Sequence, residues 1–159
     1  MALVVVLILL VAGYGYALEK ELNWRHPVIA APATGSLQES ADGIAWQPWS
    51  AAAVAQARAT GKVVLVDFTA DWCLTCQVNK KTSLEISAVR EKLKALAAVA
   101  LLADYTHTPD EITAELTRFH RAGVPLVLVY PKAATAAPLV LPEVLTPGLV
   151  LNALETAAK

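Results

Sequence analysis

Metal-binding and basic residues are sparse in this chain. Its 159 residues include two cysteines, Cys73 and Cys76, and three histidines. A structural zinc site needs four ligands, and with two cysteines the other two would have to come from His26, His107 and His120. We therefore expect no structural metal site. Thirteen basic residues, scattered along the sequence and offset by fourteen acidic ones, leave a net charge of -1. The sequence has no basic patch of the kind that binds a phosphate backbone, so we expect no nucleic-acid partner.

The length allows one domain and an appendage. A single domain usually needs about 100 to 150 residues to build its core, which leaves no room for a second catalytic domain. The chain is nevertheless apolar, with 56% hydrophobic residues and a mean hydropathy of +0.48. An apolar N-terminus and abundant alanine account for this excess.

The N-terminus predicts a membrane-spanning helix over residues 1–18. From Ala2 to Leu18 the chain carries no charge, and as a helix this run would span roughly 25 Å, just enough to cross a bilayer. Tyr14 and Tyr16 fall near its end, where aromatic rings favour the membrane interface. A cleaved signal peptide is the main alternative, because Gly15-Tyr16-Ala17 resembles a cleavage site, although a positively charged start is missing. The abrupt start also suggests the last span of a larger membrane protein.

Residues 19–43 have the composition of a flexible linker. They lack helical or strand periodicity and contain Pro27, Pro32, Gly35 and Gly43 among small and polar residues. A flexible coil of this length averages roughly 25 to 30 Å from end to end, so the domain that follows could swing between partners near a membrane. We expect that domain to occupy residues 44–159.

Strand and helix patterns alternate in residues 44–159. The β-branched apolar run from Val63 to Phe68 predicts a central strand buried on both faces. Thr108 is expected to cap the fourth helix, and Gly123 to end it. The full prediction is an extended piece at 44–49, helices at 50–60, 73–82, 87–97, 108–121 and 147–158, and strands at 63–68, 99–103, 124–130 and 139–141. This order implies an α/β sandwich with a mixed sheet.

The segment Asp71-Trp72-Cys73-Leu74-Thr75-Cys76 carries the chemistry. It follows the buried strand and begins a helix, where residues three apart have Cα atoms about 5 to 5.5 Å from each other, within reach of a disulfide. Unpaired N–H groups and the helix dipole favour negative charge at Cys73, which lowers the pKa of its thiol. We therefore expect Cys73 to attack a partner disulfide and Cys76, one turn deeper, to resolve the mixed disulfide.

A structural disulfide and a Cu(I) site are alternative uses of the same pair. A bridge between residues three apart closes too small a loop to constrain the unfolded chain much, so stability is a weak reason for it. Soft thiolates on an accessible loop can also capture Cu(I). Tight Cu(I) binding without disulfide-reducing activity would favour that second alternative.

Three pieces of the chain carry a family resemblance. They are VVLVDFTADWCLTCQVNK at 63–80, GVPLVLVY at 123–130 and VLPEVLTPGLVLNAL at 140–154. In these the chain resembles the thioredoxin superfamily, and most closely the C-terminal domain of DsbD-type transmembrane thiol:disulfide interchange proteins, in a branch with cytochrome c biogenesis and copper-tolerance homologues. The likeness covers essentially everything from Trp46 onward and implies a thioredoxin-like sandwich, whose mixed central sheet is flanked by helices.

Two roles follow from this resemblance. Asp67, six residues before Cys73, matches the buried carboxylate beneath the cysteine pair of thioredoxins and would accept a proton from Cys76. Burial should raise its pKa toward neutrality, whereas the alternative is a strand-end Asp bonded to backbone. Pro125, with Val124 before it, matches the cis-proline that faces the cysteines and presents backbone to the substrate. The alternative there is an ordinary trans proline.

Other residues around the pair are assigned to partner contact or to solvent. Trp72 is expected to shelter the cysteines and contact partners, together with Leu74 and Thr75, which stand where thioredoxin has Gly-Pro and leave the redox potential undetermined. Gln77 replaces the lysine of many relatives and so removes a nearby cation. Residues expected to be solvated, capping or without function are Asp71, Glu85, Asp104, His107, His120, Trp24, Trp46 and Trp49.

With the resemblance, these residues predict a reductase-side electron carrier that needs no organic cofactor. The resemblance implies a membrane domain that recharges the pair, and clients such as a periplasmic domain, apocytochrome c or misoxidised proteins. It places the chain in the bacterial inner membrane with the thioredoxin-like domain in the periplasm, although Lys20 and Arg25 mildly oppose that orientation. The rival enzyme is an independently anchored thioredoxin-like reductase for cytochrome c maturation.

Overall fold

A mixed β-sheet crosses the part of the chain that the computed structural model describes, residues 38–39 and 43–159. Its strands, in chain order, are β1 (Gln38–Glu39), β2 (Ala45–Pro48), β3 (Val64–Thr69), β4 (Val99–Asp104), β5 (Leu126–Tyr130) and β6 (Leu139–Val140). Across the sheet the order is β1-β2-β4-β3-β5-β6. Strands β2, β3 and β4 run parallel, while β1, β5 and β6 pair antiparallel with their neighbours. The buried strand β3 is thus a central one, as its continuous apolar run predicts.

Helices cover both faces of this sheet. They are α1 (Ala51–Ala59), α2 (Leu74–Asn79), α3 (Ser87–Ala95), α4 (Asp110–Arg118) and α5 (Pro147–Ala157), and a π-helical turn (Lys80–Leu84) continues α2. Ser50 and Thr146 cap α1 and α5, because each side chain accepts a hydrogen bond from the backbone N–H three residues ahead.

Alternation along β3 divides the core into two layers. Successive side chains of a strand point to opposite faces of the sheet. Leu65 packs with the π-helical turn, α3 and α5, whereas Val66 and Phe68 pack with α1 and α4. The architecture is therefore the α/β sandwich predicted from the sequence, with the mixed sheet between two layers of helices.

The end of β3 sets the position of the cysteines. Ala70 and the turn after it lead from β3 straight into α2. Strand β5 runs antiparallel to β3 and places Leu126 opposite Phe68, so Val124 and Pro125 enter the sheet at that same edge. Val124 packs against the same apolar cluster that contains both cysteines.

Helix α4 is shorter than predicted at both ends. Pro109 occupies the N-cap position without a side-chain cap, and Thr108, predicted as the cap, has a left-handed φ of 48° instead of the extended backbone that a cap requires. At the other end His120, with φ of 56°, turns the chain and donates its N–H to the carbonyl of Thr117. The helix therefore ends before Gly123, and the prediction that Gly123 stops it is wrong.

The predicted membrane span at 1–18 and most of the predicted linker at 19–43 lie outside the described residues. Within residues 38–39 and 43–159, no helix combines the length and the apolar character needed to cross a bilayer.

Candidate functional site

Cys73 and Cys76 form a disulfide at the start of α2, with their Cα atoms 5.3 Å apart. Cys73 occupies the N-cap position in an extended conformation, and its Sγ accepts a hydrogen bond from the backbone N–H of Cys76 at 3.2 Å. In the reduced protein, the same N–H and the helix dipole favour a thiolate at Cys73. The geometry thus suits the pair to reversible disulfide formation, with Cys73 at the helix tip.

The two cysteines are shielded, but their neighbours are not. Cys73 is 6% exposed and Cys76 only 2%, whereas Trp72 is 58% exposed and Leu74 is 78% exposed. Thr75 is half-buried between the cysteines. Cys73 is therefore flanked by an exposed apolar surface made by Trp72 and Leu74.

The loop after β4 fixes the turn that precedes the cysteines. The Thr106 hydroxyl accepts a hydrogen bond from the N–H of Asp71 at 3.0 Å, and the Thr106 carbonyl accepts one from the Trp72 indole at 3.2 Å. The N–H of Thr106 in turn donates to the Asp104 carboxylate at 2.8 Å. The Trp72 ring also lies against Tyr105, with the ring centroids 6.4 Å apart. These contacts hold Trp72 in one place while leaving much of its ring open.

A second set of hydrogen bonds anchors the other end of α2. The buried Asn79 side chain donates to the carbonyl of Glu143 at 2.7 Å and accepts from the N–H of Leu145 at 2.9 Å. The Ser83 hydroxyl donates to the Leu145 carbonyl at 3.0 Å. An ion pair between Arg121 and Glu143 joins this loop to the segment that leads into β5. The loop before α5 is therefore joined both to α2 with its π-helical turn and to the segment that precedes Pro125.

The Val124–Pro125 peptide bond is cis, the isomer that the family resemblance implies. Val124 is half-buried and Pro125 is likewise only partly covered. These two partly covered residues lead into β5 at the edge of the sheet where the turn into α2 begins.

Asp67 is a buried carboxylate in the middle of the sheet. It lies on β3 between Leu102 of β4 and Val127 of β5 and is 2% exposed. Its Oδ2 has no hydrogen-bond partner among the described residues. Burial raises the pKa of Asp67 from 3.8 to about 7, with Lys80 opposing the rise and Glu85 adding to it. A pKa near neutrality is what a base working at about pH 7 needs.

Glu85 is buried, so its interpretation as a solvated charge is wrong. Its Oε1 accepts a hydrogen bond from the Trp46 indole at 3.0 Å and lies 3.5 Å from Lys80 Nζ. These two partners compensate for the loss of water around the carboxylate. Trp46, which the sequence left without a function, is itself part of the core.

The Gln77 side chain contacts the end of β3. Its amide donates a hydrogen bond to the Ala70 carbonyl at 3.4 Å, which ties α2 to β3.

In residues 43–159, no three His, Cys, Asp or Glu side chains are grouped so that they could hold a metal ion.

Sequence reasoning missed Lys80, Asn79, Ser83 and Thr106. A weak signal was present for two of them, because Asn79 and Ser83 are four apart and fall on one face of the helical segment. Asn and Ser disfavour helix interiors unless their side chains find a backbone partner, so such a pair indicates a bonded, inward face. Thr106 and Lys80 carried no such signal.

Comparison with known proteins agrees with this geometry. A family model described as thioredoxin-like matches residues 45–132. Over 88 residues, or 55% of this chain, the sequence is 38% identical to the thiol:disulfide interchange protein DsbD of Ralstonia nicotianae, and the match spans 14% of that protein's length.

Solved structures show the same fold. A thioredoxin from Thermus thermophilus superposes with a TM-score of 0.54 at 25% identity, covering 70% of this chain and 84% of that one. The reduced C-terminal domain of Neisseria meningitidis DsbD gives 0.53 at 23% identity, covering 69% and 97%. Because the family model spans more than half of the sequence, and the sheet and the cysteine pair agree with it, this chain belongs to the thioredoxin-like family.

Proposed function

We propose that this chain is a protein thiol:disulfide oxidoreductase that delivers electrons to partner disulfides. The observation that carries the proposal is the Cys73–Cys76 disulfide at the start of α2, at the sheet edge where cis-Pro125 also enters. The identity to the Ralstonia DsbD, named for thiol:disulfide interchange, supports the same chemistry. No organic cofactor is required, because the two sulfurs themselves carry the two electrons.

The reaction begins from the reduced pair. The Cys73 thiolate attacks one sulfur of a partner disulfide, and the partner's other sulfur leaves as a thiolate and takes up a proton from water. The Cys76 thiol then loses its proton and attacks Cys73 Sγ, which releases the partner's second sulfur. The partner gains two electrons and becomes a dithiol, while this chain is left in the disulfide form seen in the structure.

Asp67 is the proposed acceptor for the Cys76 proton. Its carboxylate is buried, lies on the strand that leads to the cysteines, and has a pKa of about 7 because of burial. At about neutral pH such a group exists in both protonation states, so it can take a proton and later give it up.

A partner surface surrounds the pair. Exposed Trp72 and Leu74, with Thr75 between the cysteines, offer apolar contacts, and Val124 and Pro125 offer backbone. The proposed partners are proteins, because aromatic side chains such as the exposed Trp72 are enriched at protein–protein interfaces.

A more specific proposal, about the electron donor, the clients and the membrane tether, follows the resemblance to DsbD-type proteins. A membrane domain recharges the oxidised pair, periplasmic proteins receive the electrons, and residues 1–18 tether the domain to the bacterial inner membrane. A tethered reductase dedicated to cytochrome c maturation is the closest alternative, and the two differ in the client that Cys73 traps.

Stopped-flow reaction with dithiobis-nitrobenzoate, an aromatic disulfide that releases a coloured thiolate, tests the chemistry. The reduced chain should release two equivalents of the coloured thiolate, one for the attack by Cys73 and one for the resolution by Cys76. Cys76→Ala should release one equivalent and keep the other as a mixed disulfide. Cys73→Ala should react slowly, because its remaining thiol is buried inside the helix.

The same variants identify partners in cells. Cys76→Ala should accumulate mixed disulfides with both the electron donor and the client, and Cys73→Ala should accumulate none. If both variants retain full electron transfer to a protein disulfide, the proposed function is wrong.

A further inference from the structure

Lys80, Glu85 and Trp46 form a polar group on the face of the sheet that also carries Asp67. Asp67 shares its sheet face with Leu65, because the two are separated by one residue on β3. That face packs against Trp46 and the π-helical turn that contains Lys80. Glu85, which ends the turn, is buried there with Trp46.

The π-helical turn brings Lys80 and Glu85 together. In an α-helix, residues five apart point in different directions, whereas a π-helical turn bonds residue i to residue i+5. Here the N–H of Glu85 donates to the carbonyl of Lys80 at 2.8 Å, and the two side chains meet with Nζ and Oε1 3.5 Å apart. Lys80 is also joined to the cysteine turn, because its N–H donates to the carbonyl of Cys76.

Because Asp67 is buried, its protonation is sensitive to the charges of Lys80 and Glu85. Charges that face a buried carboxyl act through a low effective dielectric and change its protonation far more than they would change that of an exposed carboxyl. Lys80 favours the ionised form of Asp67, and Glu85 favours the protonated form. The strands on either side contribute Leu102 and Val127 opposite Asp67, and α5 adds apolar side chains, so Lys80 and Glu85 are the charges that act on it within the described residues.

We propose that the Lys80–Glu85 ion pair controls the protonation of Asp67 and, through it, the resolving step at Cys76. Lys80 and Glu85 are therefore positioning residues that act through Asp67. The role rests on the proposed function, in which Asp67 accepts the Cys76 proton. The Trp46 indole fixes the Glu85 carboxylate and so keeps the pair in place.

Removing the positive charge or the negative charge of the pair should shift the pKa of Asp67 in opposite directions. Lys80→Gln removes the positive charge, so Asp67 should hold its proton to higher pH. Glu85→Gln removes the negative charge but keeps an oxygen that can accept from Trp46, so Asp67 should release its proton at lower pH. Lys81→Gln removes an equal charge from the adjacent, exposed residue and is the matched control.

Two readouts on the full chain test this role. The first is the titration midpoint of the Asp67 carboxyl carbon in the oxidised protein, followed by carbon NMR and assigned with Asp67→Asn. The second is the pH at which release of the second coloured thiolate from dithiobis-nitrobenzoate reaches half of its maximal rate. Both midpoints should rise by about half a pH unit or more in Lys80→Gln and fall by a similar amount in Glu85→Gln. Lys81→Gln should match the wild type, and Lys80→Arg should restore the wild-type midpoints.

Several results would overturn the role. Unmoved Asp67 midpoints in both Lys80→Gln and Glu85→Gln would show that the pair does not act on Asp67. Moved NMR midpoints with an unchanged rate profile would show that Asp67 does not govern resolution. If the wild-type protein releases no second thiolate while the NMR shifts remain, it is the proposed function that fails, and this role fails with it.

Discussion

Asp67, the proposed acceptor for the Cys76 proton, also affects the stability of the fold. Its pKa is raised by burial from 3.8 to about 7, so the folded protein binds this proton more tightly than the unfolded chain does. The stabilisation that results is complete below about pH 4 and is lost as the pH rises through about 7. A shift of this size corresponds to about 4 kcal/mol between the two extremes, which is a large part of a typical domain's stability.

Asp67→Asn should remove this pH dependence. Wild-type stability should fall by about 1.4 kcal/mol per pH unit between about pH 4 and pH 7 from this group alone, and the variant should lack that component. Urea unfolding of the oxidised protein over a series of pH values measures the difference. Asp71→Asn, which neutralises an exposed carboxylate four residues on, should keep the wild-type slope. An identical slope in Asp67→Asn would mean that the Asp67 carboxyl does not titrate as described.

At the scale of elements, α2 and its π-helical extension are held from both ends. Thr106 fixes the turn before the cysteines, and Asn79 and Ser83 bind the loop before α5. Side-chain hydrogen bonds to otherwise unpaired backbone are costly to lose when the backbone group is buried. We expect these bonds to fix the position of the cysteine pair relative to the loops that surround it.

Asn79→Ala should lower the free energy of unfolding by about 2 kcal/mol, because it leaves the Leu145 N–H and the Glu143 carbonyl without their side-chain partner. Chemical denaturation of the oxidised chain measures the loss. Asn152→Ala, on the exposed side of α5, is the matched control and should change stability by no more than about 0.5 kcal/mol. Equal stabilities for the two variants would contradict the bracing role of Asn79.

At the scale of the whole molecule, sequence reasoning found the features that depend on local pattern. The apolar run of β3, the placement of Cys73 at a helix start and the α/β layering all follow from periodicity and spacing. The burial of Asp67 and the cis bond before Pro125 came from family resemblance instead, since one carboxylate or one proline does not reveal its surroundings.

Most of the contacts that the sequence did not predict join distant parts of the chain. Trp46 and Glu85 are 39 positions apart, Asp71 and Thr106 are 35 apart, and Asn79 and Glu143 are 64 apart. Nothing in the local sequence shows that a charged Glu85 will be buried, because its indole partner Trp46 comes from a distant strand and its ammonium partner Lys80 reaches it through a π-helical turn. The early end of α4 has a local cause instead, because the left-handed backbone of His120 is an uncommon conformation for a residue other than glycine.

The most direct test of the proposed mechanism is to determine which of the two cysteine sulfurs is alkylated first. The reduced chain, treated at about neutral pH with less than one equivalent of iodoacetamide, can be cleaved with trypsin to give the peptide Val63–Lys80, which contains both cysteines. Fragmentation mass spectrometry of that peptide should locate the label on Cys73 at least about ten times more often than on Cys76. Equal labelling, or a preference for Cys76, would contradict the claim that Cys73 is the attacking thiolate.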